Sequence, residues 1–261
     1  MMNSIVNNYT DSYVAFLDVL GFKEMVFKND DQLLTTYFNT INTVIDDLKK
    51  RDQKINLKHI VISDSIILSM EKEQGKNFNV NALRQLCIAV KNIQAELAIH
   101  NIWLRGAISS GKTYFDQENN QIIGPAFINA YLLEEEIAIF PRVILDNKLL
   151  FELNYNGSDE FINAINTGTY SEIALYDWSK NIFIGKYSFD QDVPFFIDYL
   201  EGVFSDDYKF NVISNNIKNG MYANSKVYKK YRWVANYLYS IYLREENKIK
   251  YLRFKEILEK I

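Results

Sequence analysis

The sequence predicts an α+β fold, a single sheet with helices on one face. Apolar, β-rich runs alternate with segments of helical 3.6-residue period in the order β-α-β-β-α-β-(β)-α-β, with no internal repeat. Hydrophobic residues make up 48% and charged residues 24% of the 261 positions, ordinary globular usage that excludes a disordered chain, a fibre or a coiled-coil rod. At this length about three quarters of the unfolded surface can be buried, so folding needs neither a disulfide nor a metal.

The elements follow in order. Residues 13–20 (YVAFLDVL) form an apolar strand that carries Asp18 to its end, and Gly21 turns the chain. Residues 31–51 place Leu34, Tyr37, Phe38, Ile41, Val44, Ile45 and Leu48 on one helical face. Residues 57–70 (LKHIVISDSIILSM) read as a hairpin pivoting on Ser63-Asp64-Ser65. A second helix covers 80–99, with Leu83, Leu86, Cys87, Val90, Ile93 and Leu97 facing inward. Residues 102–110 form a strand, and Gly111 is expected to turn it into a short second strand near 113–115. Gly124-Pro125 opens a helix through Phe140, Pro141 closes it, and 142–146 (RVILD) is a further strand. Residues 1–150 make the core. Residues 151–261 read as an extension packed on it, with a small β addition near 172–188 and helices over 193–203 and 206–261.

Several function classes drop out. Cys87 lies in an apolar helical pattern with no histidine to pair with, so it reads as a small buried hydrophobe. His59 and His100 are too few for a Cys/His zinc site, and His59 reads as a packed or half-exposed strand residue rather than a base. The N-terminus lacks signal-peptide features and no apolar run approaches the ~20 residues of a membrane span, which predicts a cytoplasmic protein. Residues 221–261 carry 10 Lys/Arg and 4 Asp/Glu within a chain of net charge −4. The body is therefore acidic, at −10, which argues against stable nucleic-acid binding. The basic tail reads as a solvated helix face or a feature that meets phosphate or an acidic partner.

Two carboxylates interrupt apolar strands, Asp18 in AFLDVLGF and Asp64 in ISDSIIL. A carboxylate there is costly unless paired or metal-bound. Two on neighbouring strands can converge on divalent cations, and oxygen-only ligation suits Mg²⁺ or Mn²⁺. The Val19-Leu20-Gly21-Phe22 turn leads into a helix whose unpaired amides can cradle phosphate. Neither a GxxxxGK[ST] loop nor a GxGxxG turn is present.

Four motifs in order resemble the class III nucleotidyl cyclases: Phe16-Leu17-Asp18-Val19-Leu20-Gly21-Phe22, Ser63-Asp64-Ser65, Arg105-Gly106-Ala107-Ile108-Ser109-Ser110-Gly111, and GPAFINAYLLE at 124–134. They are most similar to the Pycsar pyrimidine cyclases of bacterial anti-phage defence. The Lys/Tyr/Trp-rich segment KKYRWVANY (229–237) adds to that likeness. The resemblance implies a ferredoxin-like βαββαβ core with a mostly helical C-terminal extension, a homodimer with shared sites, and two Mg²⁺ or Mn²⁺ ions per site. It assigns Asp18, Asp64 and Val19 to the metals, the backbone of Leu20, Gly21 and Phe22 to the triphosphate, and Arg105 to catalysis.

The sequence departs from the purine cyclase pattern. Ile128 and Leu132 stand where that pattern has asparagine and the transition-state arginine, so a cation is expected from Arg105, Arg142 or a partner lysine. Ile60 and Gln121 stand at the base-reading positions, which suits UTP or CTP. The expected reaction makes a 3′,5′-cyclic monophosphate and pyrophosphate. The product would be a second messenger for an effector reached through the nucleotide rather than by contact. The alternatives are an adenylate or guanylate cyclase with atypical base readers, and a degenerate nucleotide-binding domain. Glu134-Glu135-Glu136 reads as a solvated helix face, and the aromatics of 208–242 as core and dimer packing.

Overall fold

The computed structural model describes residues 8–51, 56–168, 172–178 and 192–244. Strand β1 (Thr10–Val19) is central, antiparallel to both β3 (Ser65–Glu71) and β4 (Leu104–Asp116). With β2 (Leu57–Ile62) and β5 (Gln121–Ile123) the order is β2-β3-β1-β4-β5, and β6 (Val143–Leu145) lies parallel to β4. The α+β class expected from the sequence is what forms.

Side chains of β1 alternate between two apolar layers, as the two-residue period of a strand requires. Tyr13, Ala15, Leu17 and Val19 enter the main core with α2 (Asp31–Arg51) and α3 (Lys76–Ile99). Val14 and Phe16 enter a second cluster with Ile60, Ile67, Ala126 and Ala130. The last two belong to α4 (Pro125–Glu136), and Phe16 also meets Phe127 and Tyr131 edge-on. Helices thus cover both faces of the sheet rather than one. Burial on two faces is why β1 reads as a continuous apolar run. On α2, Tyr37, Ile41, Val44, Ile45 and Leu48 are buried while Phe38, one step round the helix, is exposed.

Three other expectations change. Gly111 does not reverse the chain: β4 runs through it for 13 residues and pairs with β5 beyond. Helix α4 stops at Glu136, where the amides of Ile137 and Ala138 both donate to the Leu133 carbonyl and Ala138 turns into the core. Residues 193–203 are not a helix. Their apolar run instead lines the free side of β6, with Phe196 bridged to Ile144 and Ile197 to Leu175. The rest of the β addition expected to residue 188, and the helix beyond 244, lie outside the described residues.

After β6 come α5 (Lys148–Glu152), α6 (Ser158–Asn166), α7 (Asp207–Ala223) and α8 (Ser225–Arg244). Asp206 caps α7 by accepting from the Tyr208 and Lys209 amides, and extended Asn224 separates α7 from α8. The main core runs without interruption from Tyr13 to Tyr242, so the second half of the chain shares its apolar layer with the first. Arg142 ties the halves together. It is fully buried, forms a bidentate pair with Asp192 at 2.7 and 2.6 Å, and lies over the Phe140 and Trp233 rings. Among the described residues no helix is long and apolar enough to cross a membrane.

Gly124 fixes how α4 leaves the sheet. Its φ is 143°, and a Cβ there would overlap the Lys112 carbonyl oxygen. Gly124→Ala should lose about 2–4 kcal/mol through strain and overlap together. A fall in the urea midpoint at unchanged slope checks this; an unchanged midpoint contradicts it.

Candidate active site

The C-terminal end of β1, the β2–β3 turn and the start of β4 meet at one end of the sheet. Strand register places Asp18 directly opposite both Ser65 and Arg105. Two hydrogen bonds tie the neighbouring loops together: the Val19 amide donates to the Asp64 carbonyl at 3.0 Å, and the Leu20 amide to the Trp103 carbonyl at 2.9 Å. Asp64 sits in a two-residue turn whose first residue, Ser63, has φ 57°. That unusual conformation is held from α2, because the Tyr37 hydroxyl donates to the Ser63 carbonyl at 3.2 Å. Asp18 and Asp64, 46 positions apart in sequence, therefore share one site.

Gly21 follows with φ 82°, a left-handed conformation that glycine adopts without steric penalty, and α1 (Phe22–Phe27) begins at once. The Leu20 amide is spent on Trp103. The Gly21, Phe22 and Lys23 amides make no hydrogen bond among the described residues. Of the expected phosphate cradle, Gly21 and Phe22 thus offer free donors, and Lys23 adds a third.

The electrostatics centre on Arg105. Its Nε lies 3.2 Å from Asp18 Oδ2 and 2.7 Å from Glu134 Oε1. Burial holds the Asp18 carboxyl above its ordinary range, while Arg105 acts the other way. Glu134 is 3% exposed, and its carboxyl is pushed up to about 7, chiefly by burial, with Asp18, Glu135 and Asp64 adding and Arg105 opposing. Glu134 is thus no part of a solvated helix face. Its spacing from Ala126 and Ala130, both fully buried on the inner side of α4, was the signal that could have found it.

The remaining expected residues lie elsewhere. Ile60 is 1% exposed inside the second apolar cluster. Gln121 is exposed on β5 opposite Asp116, eleven strand residues from Arg105, or about 36 Å of extended chain. Arg142 is committed to Asp192. Lys230 of α8 was not anticipated. It faces Asp18 and Arg105, and burial with Arg105 holds its ammonium below the ordinary lysine range.

Among the described residues no group of three or more His, Cys, Asp or Glu is placed to hold a metal. Asp18 and Asp64, with the Val19 carbonyl between them in the chain, form a sparse oxygen set. That set suits a divalent cation whose shell is completed by phosphate and water.

No family model and no curated protein matches the sequence. Among solved structures it is similar to the adenylyl cyclase CyaB from P. aeruginosa, at 16% identity over 56% of this chain and 80% of that one, with a TM-score of 0.42. It is also similar to the guanylyl cyclase Cya2 (12% identity, 57% and 83% covered, TM-score 0.40). A third similar structure is the guanylate cyclase domain of RhGC from Catenaria anguillulae in complex with GTP (13%, 56% and 83%, 0.39).

The Glu134 environment has a pH signature. Its carboxyl keeps a proton to about pH 7 when folded but loses it near its ordinary 4.5 when unfolded. Wild-type stability should therefore fall as pH rises through that window, by up to about 3 kcal/mol from this group. Glu134→Gln cannot titrate, so its stability relative to wild type should rise between pH 4.5 and 7.5. Parallel stability–pH curves for the two proteins would contradict the assignment.

Proposed function

We propose that the chain is a nucleotidyl cyclase that acts on a pyrimidine nucleoside triphosphate. The observation that carries the reading is the shared end of the sheet. There two carboxylates, Asp18 at the end of β1 and Asp64 in the β2–β3 turn, stand beside the amides of Gly21, Phe22 and Lys23, which make no hydrogen bond among the described residues. Carboxylates for divalent cations beside amides for phosphate form a triphosphate site.

In this reading Asp18 and Asp64 hold two Mg²⁺ or Mn²⁺ ions, with the Val19 carbonyl as a further oxygen. When bound, such ions supply acidification of the ribose 3′-hydroxyl and charge neutralisation on the phosphates. The chain's own part is positioning. Register with β3 and β4 fixes the Asp18 carboxylate, Arg105 holds it from one side, and the Gly21–Lys23 amides orient the triphosphate for in-line attack on the α-phosphate.

A second copy of the chain completes the site. Gln121, on β5 beside the far end of β4, lies too far away to meet Asp18 in one subunit, and α4 exposes Ile128 (50%), Tyr131 and Leu132 (both 41%) as an apolar strip. A homodimer that covers this strip would bring Gln121 of one subunit to the carboxylates of the other. Ile60 offers the base no polar partner, and Gln121 offers an amide that satisfies uracil or cytosine. A purine edge left unpaired there loses about 1–3 kcal/mol per group. The preference for UTP over CTP, and a second-messenger role in anti-phage defence, rest on the sequence resemblance. A nucleotide-binding domain without turnover is the second reading, favoured by the apolar side chains of Ile128 and Leu132.

Incubating the protein with UTP, CTP, ATP and GTP in Mn²⁺, with products read by mass spectrometry, should give a cyclic pyrimidine monophosphate at the highest kcat/KM. A purine product in excess overturns the base assignment, and no product from any of the four favours the second reading. Asp18→Ala and Asp64→Ala should each abolish turnover, with the far-UV circular dichroism unchanged; turnover retained in either removes the metal assignment. Sedimentation should give a species of twice 30.6 kDa. An active monomer at assay concentration contradicts the shared site.

A further inference from the structure

Outside the carboxylate pair, the feature that points most directly at the Gly21 turn belongs to the distant end of the chain. A cavity of about 400 Å³ opens beside that turn, lined among others by Gly21, Glu24, Trp103, Gly220, Lys230 and Tyr231. Its far wall is the α7–α8 pair.

The position of α8 relative to the turn is determined by Tyr231. Its ring occupies the space a side chain would fill at Gly220, since a Cβ there would fall within the ring. The same ring meets Trp103 edge-on, with centroids 5.9 Å apart. The Tyr231 hydroxyl lies 3.3 Å from Asn101 Oδ1, which also accepts from Trp103 Nε1 at 2.8 Å. Trp103 in turn accepts the Leu20 amide. An unbroken series of contacts therefore runs from α7 through α8 to the residue before Gly21.

Lys230 immediately precedes Tyr231. It is half-buried, lines the cavity, and makes no ion pair or hydrogen bond among the described residues. The charged groups around it are Asp18 of β1 and Arg105 of β4, together with Glu24, Lys28 and Asp30, which line the same cavity. Arg105 is already engaged by Asp18 and Glu134. Among the described residues the Lys230 ammonium has no ion pair of its own, and it is half-buried, whereas Lys23 at the turn itself is exposed and lies over the Phe27 ring. A half-buried ammonium with no acceptor is costly, and a phosphate oxygen would relieve that cost. Burial and Arg105 lower its affinity for a proton, while Asp18 acts the other way.

We propose that Lys230 binds the triphosphate of the nucleotide held at the Gly21 turn, within the same subunit, and supplies the cation that Ile128 and Leu132 do not carry. The proposal rests on the triphosphate reading of the carboxylate site. It gives the basic C-terminal helix a role: α8 delivers one ammonium to a site built by the first half of the chain.

The test uses the full chain and inorganic tripolyphosphate with Mn²⁺, followed by titration calorimetry, beside kcat/KM for UTP. Lys230→Gln should weaken tripolyphosphate binding about tenfold to a hundredfold, the usual loss of a charge-assisted contact. Lys230→Arg should stay within about threefold of wild type, and Lys229→Gln, on the exposed side of α8, should match wild type. Wild-type binding of tripolyphosphate without cyclisation of any nucleotide would sink the cyclase reading and leave the Lys230 result standing. Three outcomes overturn the proposal itself: no tripolyphosphate binding by wild type, Lys230→Gln binding as wild type does, or an equal loss in Lys229→Gln. Lys230→Arg as weak as Lys230→Gln also overturns it, because the loss would then come from packing rather than charge.

Discussion

One guanidinium holds the site end of the sheet together. Asp18 closes an apolar strand and Glu134 closes the inner face of an apolar helix, and neither position is hospitable to a negative charge. Arg105 lies between them, within 3.2 Å of one and 2.7 Å of the other. At an effective dielectric of about 20, each attraction is about 4 kcal/mol at 4 Å, similar to the several kcal/mol needed to remove an ion from water. Both carboxyls are nonetheless held above their ordinary range, so burial outweighs the attraction and the charged forms carry a net cost. The value of the pairings lies in position, because a carboxylate held from one side presents its other oxygen in a fixed direction. α4 is joined to the end of β1 through the same residue, so sheet, helix and site share one electrostatic centre.

Around that centre the fold turns long sequence separations into short distances by strand register alone. Asp18 faces Ser65 across one ladder and Arg105 across the other, and the Val19 and Leu20 amides complete the cross-links. No flexible side chain has to reach far. The burden falls on backbone geometry at Ser63 and Gly21, two positive-φ positions that flank the carboxylates. Tyr37, fully buried on α2, steadies the first of them from below. The C-terminal helices add a third layer of support through Tyr231 and Trp103.

Much of this was legible in the sequence, for identifiable reasons. The β1 run, the 57–70 hairpin and the inward face of α3 rest on local periodicity, and the structure places them as expected. The placement of Asp18 and Asp64 at one end of the sheet was readable because each breaks an apolar pattern. Tertiary effects were harder to read. Gly111 looked like a turn because glycine commonly makes one, yet ladder pairing on both sides keeps β4 extended through it. Residues 193–203 carry a helical-looking apolar spacing that the free side of β6 claims instead. Glu134 was hidden in a run of three glutamates, where composition suggests solvent and only its four-residue step from Ala130 says otherwise. Lys230 lay within the basic KKYRWVANY segment with nothing to single it out: its place depends on a helix crossing set by Gly220, more than a hundred residues from β4.

That crossing also makes the two halves of the molecule depend on each other for position. Gly220 and Tyr231 behave as slot and key, and the key rests on Trp103. A bulkier residue in the slot would push α8 outward and carry Lys230 off the Gly21 turn, although neither residue is polar at the contact or close to Asp64 in sequence. Grafting the C-terminal helices of a relative onto this core would therefore transfer secondary structure without register. The extension is not an interchangeable module, because its register is set against the loop before β4.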